Sequence, residues 1–133
     1  MAVRVVRLGT PKSRAEGLRI GTVRLLPRGV RKKDYAKLSY FDVWLPEVSP
    51  SRALVSYAQA KPWTDARWAA FTHRYLREMR RREALRLITL LAALSKKANF
   101  SIGCYCESPS RCHRSLLGRL LREQGGKVHP RFR

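Results

Sequence analysis

The alternation of apolar and polar residues predicts five short strands along the chain. The first two segments are rich in β-branched residues and end at glycine and proline, which commonly terminate strands. The predicted strands cover residues 2–8, 18–26, 40–45, 100–106 and 127–129. The third is either a short strand or an irregular apolar segment. In the fourth, the period of two places Phe100, Ile102, Cys104 and Cys106 on one face.

Helical spacing of apolar residues predicts four helices. They cover about 49–60, 64–82, 83–97 and 109–124. Ser49 is the expected N-cap of the first helix, with Pro50 at its first position, and Thr64 is the expected N-cap of the second. Neither glycine nor proline separates the second and third helices, so one long helix is the alternative. Average helix lengths favour a break near Arg82.

Helices that separate successive strands are typical of α/β proteins. A chain of 133 residues suits one hydrophobic core. We therefore predict a small, single-domain layered α/β fold over residues 1–133, with a partly parallel central sheet flanked by helices. The longest apolar run, at 85–94, is interrupted by Arg86 and Thr89 and is too short to cross a bilayer. The N-terminal residues lack the apolar core of a signal peptide, so we expect a soluble, cytoplasmic protein with no membrane partner.

The charge balance points to an anionic partner. The chain has 29 lysines and arginines against nine acidic residues, a formal net charge of +20, and 21 of the basic residues are arginine. Self-repulsion on this scale is relieved by a polyanion, and nucleic acid is the natural one. Arginine also makes bidentate contacts with phosphate. The alternative is a set of solvated basic faces with no partner.

All three cysteines lie in one short segment, at 104–114, between the fourth predicted strand and the last predicted helix. Ligands of α/β proteins commonly bind at the carboxyl ends of strands and at helix N-termini. Arg111 and Arg114 fall in the first turns of the last predicted helix, where positive charge opposes the helix dipole. We interpret both as groups that hold an anion. The alternative is that they face solvent or pair with a carboxylate such as that of Glu107.

Further polar side chains are candidates for the same anion site. Ser108 and Ser110 lie in the loop that precedes the last helix. Arg24 and Arg28 end the second predicted strand, and they converge on the same cleft if the two strands are neighbours. The alternative for these two arginines is a strand-terminating turn with solvated charges.

Three interpretations of the cysteines and the adjacent histidine remain open. In the first, Cys106 or Cys112 is a nucleophile whose pKa is depressed by the helix N-terminus and nearby cations. In the second, His113 moves a proton beside a bound phosphate, with the cysteines as framework. In the third, Cys104 joins these residues in a zinc site. The ligand spacing is not that of a zinc knuckle and no second pair is present, so we predict no metal and no cofactor.

Four segments together resemble the YeaO-like proteins of the domain-of-unknown-function 488 family. Residues 24–29 are similar to the family's Asp-Arg-Leu-Trp-Pro-Arg-Gly segment, and residues 44–51 to its Trp-Leu-Lys-Glu-Leu-Ala-Pro-Ser segment. The family's Trp-x-x-Phe-x-x-Arg-Tyr-x-x-Glu helix is matched by Trp68, Phe71, Arg74, Tyr75 and Glu78. Residues 112–117 are similar to the Cys-His-Arg element found in another branch.

The resemblance implies a compact single-domain α/β fold with a site around the Cys-His-Arg element. It implies no reaction, because the family has no agreed one. Val23 and Leu26 stand where the family usually has aspartate and tryptophan, and Gln59 falls near an expected histidine. Acid–base roles at those three family positions are therefore not expected in this chain.

These observations predict a protein that binds a phosphorylated ligand, either a nucleotide or nucleic acid, at the N-terminus of the last helix. Cys106, Cys112 and His113 are the candidates for chemistry on that ligand. Whether the protein is an enzyme is left open. The alternatives are a non-catalytic basic module that binds nucleic acid and a small accessory protein stabilised by zinc.

Overall fold

A five-stranded sheet forms the centre of the molecule in a computed structural model, which describes residues 1–60, 62–108 and 110–132. The strands are β1 (Val3–Arg7), β2 (Leu18–Gly21), β3 (Val43–Trp44), β4 (Phe100–Cys104) and β5 (Val128–Phe132). Their order across the sheet is β3-β2-β4-β1-β5, and every pairing between described strands is parallel. The prediction of an α/β fold is confirmed.

Four helices complete the fold. They are α1 (Arg52–Gln59), α2 (Asp65–Glu78), α3 (Arg82–Leu94) and α4 (His113–Glu123). Their buried side chains pack with β1, β2 and β4 in one main hydrophobic cluster, which includes Val5, Ile20, Phe71, Ile88 and Ile102. This packing follows from the sequence, because the apolar residues of each helix recur on one face.

A second, smaller hydrophobic cluster lies at the carboxyl ends of β1 and β4. It is formed by Leu8, Val23, Phe41, Cys104 and Cys112, with three tyrosines packed against it. The cluster therefore takes its members from five separate segments of the chain, and two of them are cysteines. This is the part of the core on which the candidate site is built.

Side-chain contacts explain where the first helix begins. Ser49, the predicted N-cap, instead donates its hydroxyl to the carbonyl oxygen of Pro46 at 2.6 Å. The observed N-cap is Ser51, whose Oγ accepts from Leu54 N, and the Glu78 carboxylate on α2 accepts from Ser51 N at 2.8 Å. The predicted start was wrong by two residues because a carboxylate from a distant helix selects the cap.

Of the other predicted helix boundaries, some are confirmed and some are wrong. Thr64 caps α2 as predicted. The helix ends at Glu78 and α3 begins at Arg82, so the two are separate helices, as expected. The last helix begins at His113 rather than near 109, and the predicted start at Pro109 lies outside the described residues. Cys112 is the N-cap and has an extended backbone conformation, and its side chain is buried in the smaller cluster. Arg111 therefore precedes α4, and Arg114 alone of the two arginines lies in its first turn.

Several predicted strands are too long. The second ends at Gly21 instead of continuing to 26, because Thr22 turns toward β4 and donates its hydroxyl to Gly103 O at 2.8 Å. The fourth ends at Cys104, so Cys106 lies beyond the sheet. The third segment is a strand of two residues only, Val43 and Trp44.

Candidate functional site

An open pocket with a volume of about 160 Å³ lies beyond the carboxyl ends of β2 and β4. Most of its wall is apolar, formed by Val23, Leu25, Pro50, Val55, Ala58, Trp63 and Phe71. Three cysteines and His113 also line it, together with the side chains of Arg24 and Arg111. The sequence placed the site at the carboxyl edge of the sheet, and the pocket lies at that edge.

The three cysteine sulfurs form a tight group. The Sγ atoms of Cys104, Cys106 and Cys112 all lie within 4.8 Å of one another. Those of Cys104 and Cys112 are in bonding contact as a disulfide, with Cα atoms 7.7 Å apart. In this oxidised form Cys112 has no free thiol, so the prediction of a nucleophilic thiolate at Cys112 is not met. Cys106 is a free thiol at the exposed rim.

The environment of Cys106 differs from that predicted. Although the residue is exposed, nearby protein atoms partly desolvate the thiol and raise its pKa above the ordinary value, while Arg114 and Arg7 act in the opposite direction. A pKa raised by desolvation means that the thiol form predominates near neutral pH. The sequence predicted a depressed pKa for a nucleophilic cysteine here, and for Cys106 the structure indicates the opposite.

His113 is buried and held in one tautomer. Its Nε2 atom lies 2.6 Å from the carbonyl oxygen of Thr22, so Nε2 carries the proton and donates. Nδ1 is then the acceptor, and it lies 3.9 Å from Cys112 Sγ. Burial, with a smaller contribution from Arg114, outweighs the hydrogen bond to Thr22 and lowers the pKa of His113 to about 4, so the ring is neutral at pH 7. The unprotonated Nδ1 therefore faces the cysteine group.

Arg114 is fully buried beneath the cysteines. Its Nη1 donates to Cys104 Sγ at 3.1 Å and to the carbonyl oxygen of Cys106 at 2.6 Å. Its Nε and Nη2 atoms have no hydrogen-bond partner among the described residues. Burial lowers the pKa of the guanidinium, which reflects the cost of a cation in this position. The side chain contacts the cysteines and does not belong to the lining of the pocket.

Arg111 lies at the side of the pocket and is paired with the carboxylate of Asp65. The Asp65 side chain is 98% exposed, so this pair is a surface ion pair. Glu107, the carboxylate considered as a partner for Arg111 or Arg114, instead lies 3.8 Å from Arg7. Arg111 therefore stands next to the pocket with a partner that solvent can readily replace.

The remaining predicted residues are divided between the pocket and the surface. Arg24 lines the pocket, and its Nε donates to the carbonyl oxygen of Pro50 at 3.1 Å. Arg28 is exposed and is not part of the lining. Ser108 and Ser110 are exposed, with their hydroxyl oxygens 3.0 Å apart. Of the two candidate arginines that follow β2, the structure thus brings only Arg24 to the site.

Sequence reasoning missed several residues that shape the site. Trp63 and Phe71 form part of the pocket wall, with ring centroids 5.4 Å apart. Phe71 lies at ordinary helical core spacing, which gives no signal of a pocket, and for Trp63 core packing was preferred over a surface on which bases stack. Thr22 fixes the His113 tautomer through its backbone, which no side-chain pattern reports.

Several residues of the family-like segments are structural. Tyr75 donates its hydroxyl to the carbonyl oxygen of Val48 at 2.8 Å, and Trp44 donates Nε1 to that of Val23 at 2.7 Å. Glu78 holds the start of α1. These bonds fix the loops that border the pocket, so the motifs build the site without supplying its reactive groups.

Among the described residues, no helix has the length and apolar character needed to span a bilayer. No curated protein and no solved structure shows a significant match to the chain. A family model named DUF488-N3a and described as the active DUF488-N3 subclade matches residues 3–125. That match covers nearly the whole fold, including the cysteines, His113 and Arg114. The chain therefore belongs to the DUF488 family, in its N3a subclade.

Proposed function

We propose that the pocket binds a nucleotide, either free or as part of a nucleic acid strand. The base occupies the apolar wall, and Arg111 and Arg24 hold the phosphate. The observation that carries this proposal is the presence of two guanidinium groups on the lining of one apolar pocket. A ligand that matches such a pocket has a flat apolar part joined to an anion, which describes a nucleotide.

The wall supports the position of the base. Trp63 and Phe71 are aromatic, and aliphatic side chains from α1 and from the segment after β2 lie around them. Bases bind to aromatic surfaces without requiring a particular hydrogen-bond pattern. The pocket is also open to solvent along one side, so a base that remains attached to a strand can enter it.

The arginines support the position of the phosphate. The ion pair of Arg111 with Asp65 is a surface pair, which contributes little free energy. A phosphate can therefore replace Asp65 at small cost, and it gains the bidentate contact that arginine makes with phosphate. The formal net charge of +20 attracts such ligands from a distance.

The description of the subclade as active favours chemistry on the ligand over binding alone. Cys106, Cys112 and His113 line the same pocket, and they are our candidates for that chemistry once the Cys104–Cys112 disulfide is reduced. Cys106 is the exposed thiol of the group. The unprotonated Nδ1 of His113 lies 3.9 Å from Cys112 Sγ and supplies an acceptor on that side of the pocket.

Binding of a labelled single-stranded oligonucleotide and of mononucleotides tests the proposal. Arg111→Ala should weaken binding about tenfold or more, because it removes a charge-assisted contact with the phosphate. Arg77→Ala is the matched control, since Arg77 is exposed on α2 and outside the pocket. It should change affinity only slightly.

Filling the pocket gives a second, independent test. Ala58→Trp places a large ring in the lining and should abolish mononucleotide binding. Ala53→Trp adds the same ring to an exposed position of α1 and should leave binding intact. Equal small losses for Arg111→Ala and Arg77→Ala, with a steep salt dependence, would instead identify a diffuse, non-catalytic nucleic-acid binder.

A further inference from the structure

We propose that Cys104, Cys106, Cys112 and His113 together bind a zinc ion in the reduced protein. This inference departs from the sequence prediction, which found no knuckle spacing and expected no metal. It is independent of nucleotide binding, which rests on Arg111, Arg24 and the apolar wall, and in the zinc-bound protein Cys106, Cys112 and His113 are ligands and not free reactive groups. Three observations support it: the placement of the sulfurs, the tautomer of the histidine and the charge of Arg114.

The sulfurs converge from two segments as metal ligands do. In a tetrahedral zinc site with Zn–S bonds of about 2.3 Å, ligand sulfurs lie about 3.8 Å apart. The three Sγ atoms here fall within 4.8 Å of one another. The Cα atoms of Cys104 and Cys112 are 7.7 Å apart, beyond the range of about 4.4–6.8 Å that is usual for disulfides. The backbone separation thus suits two thiolates around a common ion.

His113 supplies the fourth ligand atom. Its Nδ1 lies 3.9 Å from Cys112 Sγ, and its Nε2 donates to the Thr22 carbonyl oxygen. Metal-binding histidines commonly donate their second ring N–H to a backbone carbonyl or a carboxylate in this way, which fixes the ring and the tautomer. The chain therefore holds His113 with its lone pair directed toward Cys112 Sγ, one of the three sulfurs.

Arg114 balances the negative charge that a zinc ion with three thiolates would carry. A divalent ion with three thiolates and a neutral imidazole carries one net negative charge. Arg114 is fully buried, donates to Cys104 Sγ, and keeps Nε and Nη2 without partners among the described residues. A buried cation without a counter-ion is costly. The zinc–thiolate group provides the missing anion, and N–H donation to a ligating sulfur stabilises it.

The binding step involves no oxidation or reduction of the reduced protein. Three thiols each lose a proton to solvent, three sulfur–zinc bonds form, and the neutral Nδ1 contributes its lone pair without losing a proton. Where Cys104 and Cys112 are present as a disulfide, an added phosphine or dithiol reductant supplies the two electrons that convert it to two thiols. Zinc binding should therefore release protons and require the reduced state.

Metal titration of the full chain tests the proposal directly. Protein reduced under anaerobic conditions and stripped with a chelator should take up one zinc per chain. One cobalt per chain should also bind, with the thiolate charge-transfer and visible bands of a tetrahedral cobalt–sulfur site. Absence of these bands, or no stoichiometric uptake by the reduced protein, overturns the proposal. This measurement uses the unaltered chain and does not depend on whether cysteine variants fold.

Matched variants then test the fourth ligand and the counter-ion. His113→Ala should weaken zinc affinity strongly, whereas His129→Ala, outside the cysteine group, should not. Arg114→Met should weaken it about 10- to 100-fold, as loss of a group that supports metal ligands commonly does. Arg114→Lys should recover part of the loss by restoring the charge. Equal affinity for wild type, Arg114→Met and His113→Ala would contradict the assigned site.

Measuring nucleotide binding and zinc uptake on the same proteins distinguishes the two proposals. Arg111→Ala should lose nucleotide and retain zinc, because Arg111 belongs to the pocket side and not to the ligand set. Zinc uptake without nucleotide binding would leave the metal site standing and reject the proposed function. Nucleotide binding without zinc uptake would support the proposed function and reject the metal site.

Discussion

Two arginine side chains are almost completely buried among the described residues, and their surroundings differ in kind. Arg19, 1% exposed, donates to both carboxylate oxygens of Glu16 and to the carbonyl oxygens of Thr10 and Ser39. Arg114, 0% exposed, has a sulfur and one carbonyl as partners and two nitrogen atoms without any. Both belong to the same small fold.

The difference separates a structural charge from a functional one. At Arg19 the chain provides a complete set of acceptors, and the buried ion pair fixes the loops around β2. At Arg114 the chain provides the cation and leaves the balancing negative charge to be supplied by reduced sulfurs or a bound group. Incomplete neutralisation in an otherwise well-satisfied core is expected at functional sites.

The largest effect should come from breaking the complete pair. Glu16→Gln leaves the Arg19 guanidinium buried beside a neutral amide, and we expect it to lower the free energy of unfolding by about 3–5 kcal/mol. Urea denaturation measures this. Glu123→Gln is the control, because Glu123 pairs with Arg119 at the surface, and its effect should stay below about 1 kcal/mol. Similar losses of unfolding free energy in both variants would mean that the buried Glu16–Arg19 pair stabilises the fold no more than a surface pair does.

A smaller effect of opposite sign is expected at the incomplete site. In metal-free protein, Arg114→Met removes a buried charge that lacks a carboxylate partner. It should leave the free energy of unfolding unchanged or raise it by about 1–2 kcal/mol. The same measurement with saturating zinc should reverse the order, so that wild type is the more stable protein. A large loss of stability in the metal-free variant would show that Arg114 is already neutralised within the fold.

The smallest expected effect is a pH dependence confined to the complete pair. Burial acts to raise the pKa of Glu16, but the Ser13 N–H and Arg19 outweigh it and hold that pKa below its ordinary value of 4.5. The unfolded chain therefore binds the proton more readily, so stability is full above pH 4.5 and declines as pH falls further. The decline should approach about 1 kcal/mol per pH unit.

Unfolding experiments between pH 5 and pH 3 measure this slope. Glu16→Gln has no carboxyl group at this position, so its slope should be shallower than that of wild type. An equally steep decline in both proteins would assign the acid sensitivity to other carboxylates, such as Asp42, whose pKa is also lowered after the opposing effect of burial is overcome.

Much of the fold could be predicted from the sequence because it depends on local patterns. Thr64 caps α2 as its position suggests, and the break before α3 agrees with average helix lengths. The start of α1 could not be predicted, since Glu78 acts on Ser51 across 27 positions of the chain. Neither could the burial of Arg19 and Arg114, because nothing local to either residue distinguishes it from the solvated arginines.

The sequence identified which residues gather at the candidate site, but it did not predict how they are arranged. The pattern identified the cysteines, His113 and the neighbouring arginines as one group. It gave Arg111 and Arg114 the same role, since helix geometry suggested that both face an anion. Three-dimensional placement decides that Arg111 lines the pocket while Arg114 supports the sulfurs from beneath.

The order of strands in the sheet has a consequence for how the protein is made. β4 lies between β1 and β2 and pairs with both, as in the registers Val3 with Phe100 and Leu18 with Phe100. During synthesis β1 and β2 therefore lack their shared pairing partner, β4, until the residues near 100 have left the ribosome. Such long-range pairing slows folding and exposes edges to aggregation. Cys104 ends this last inner strand and the other two cysteines follow it, so the cysteine group assembles only when the sheet closes.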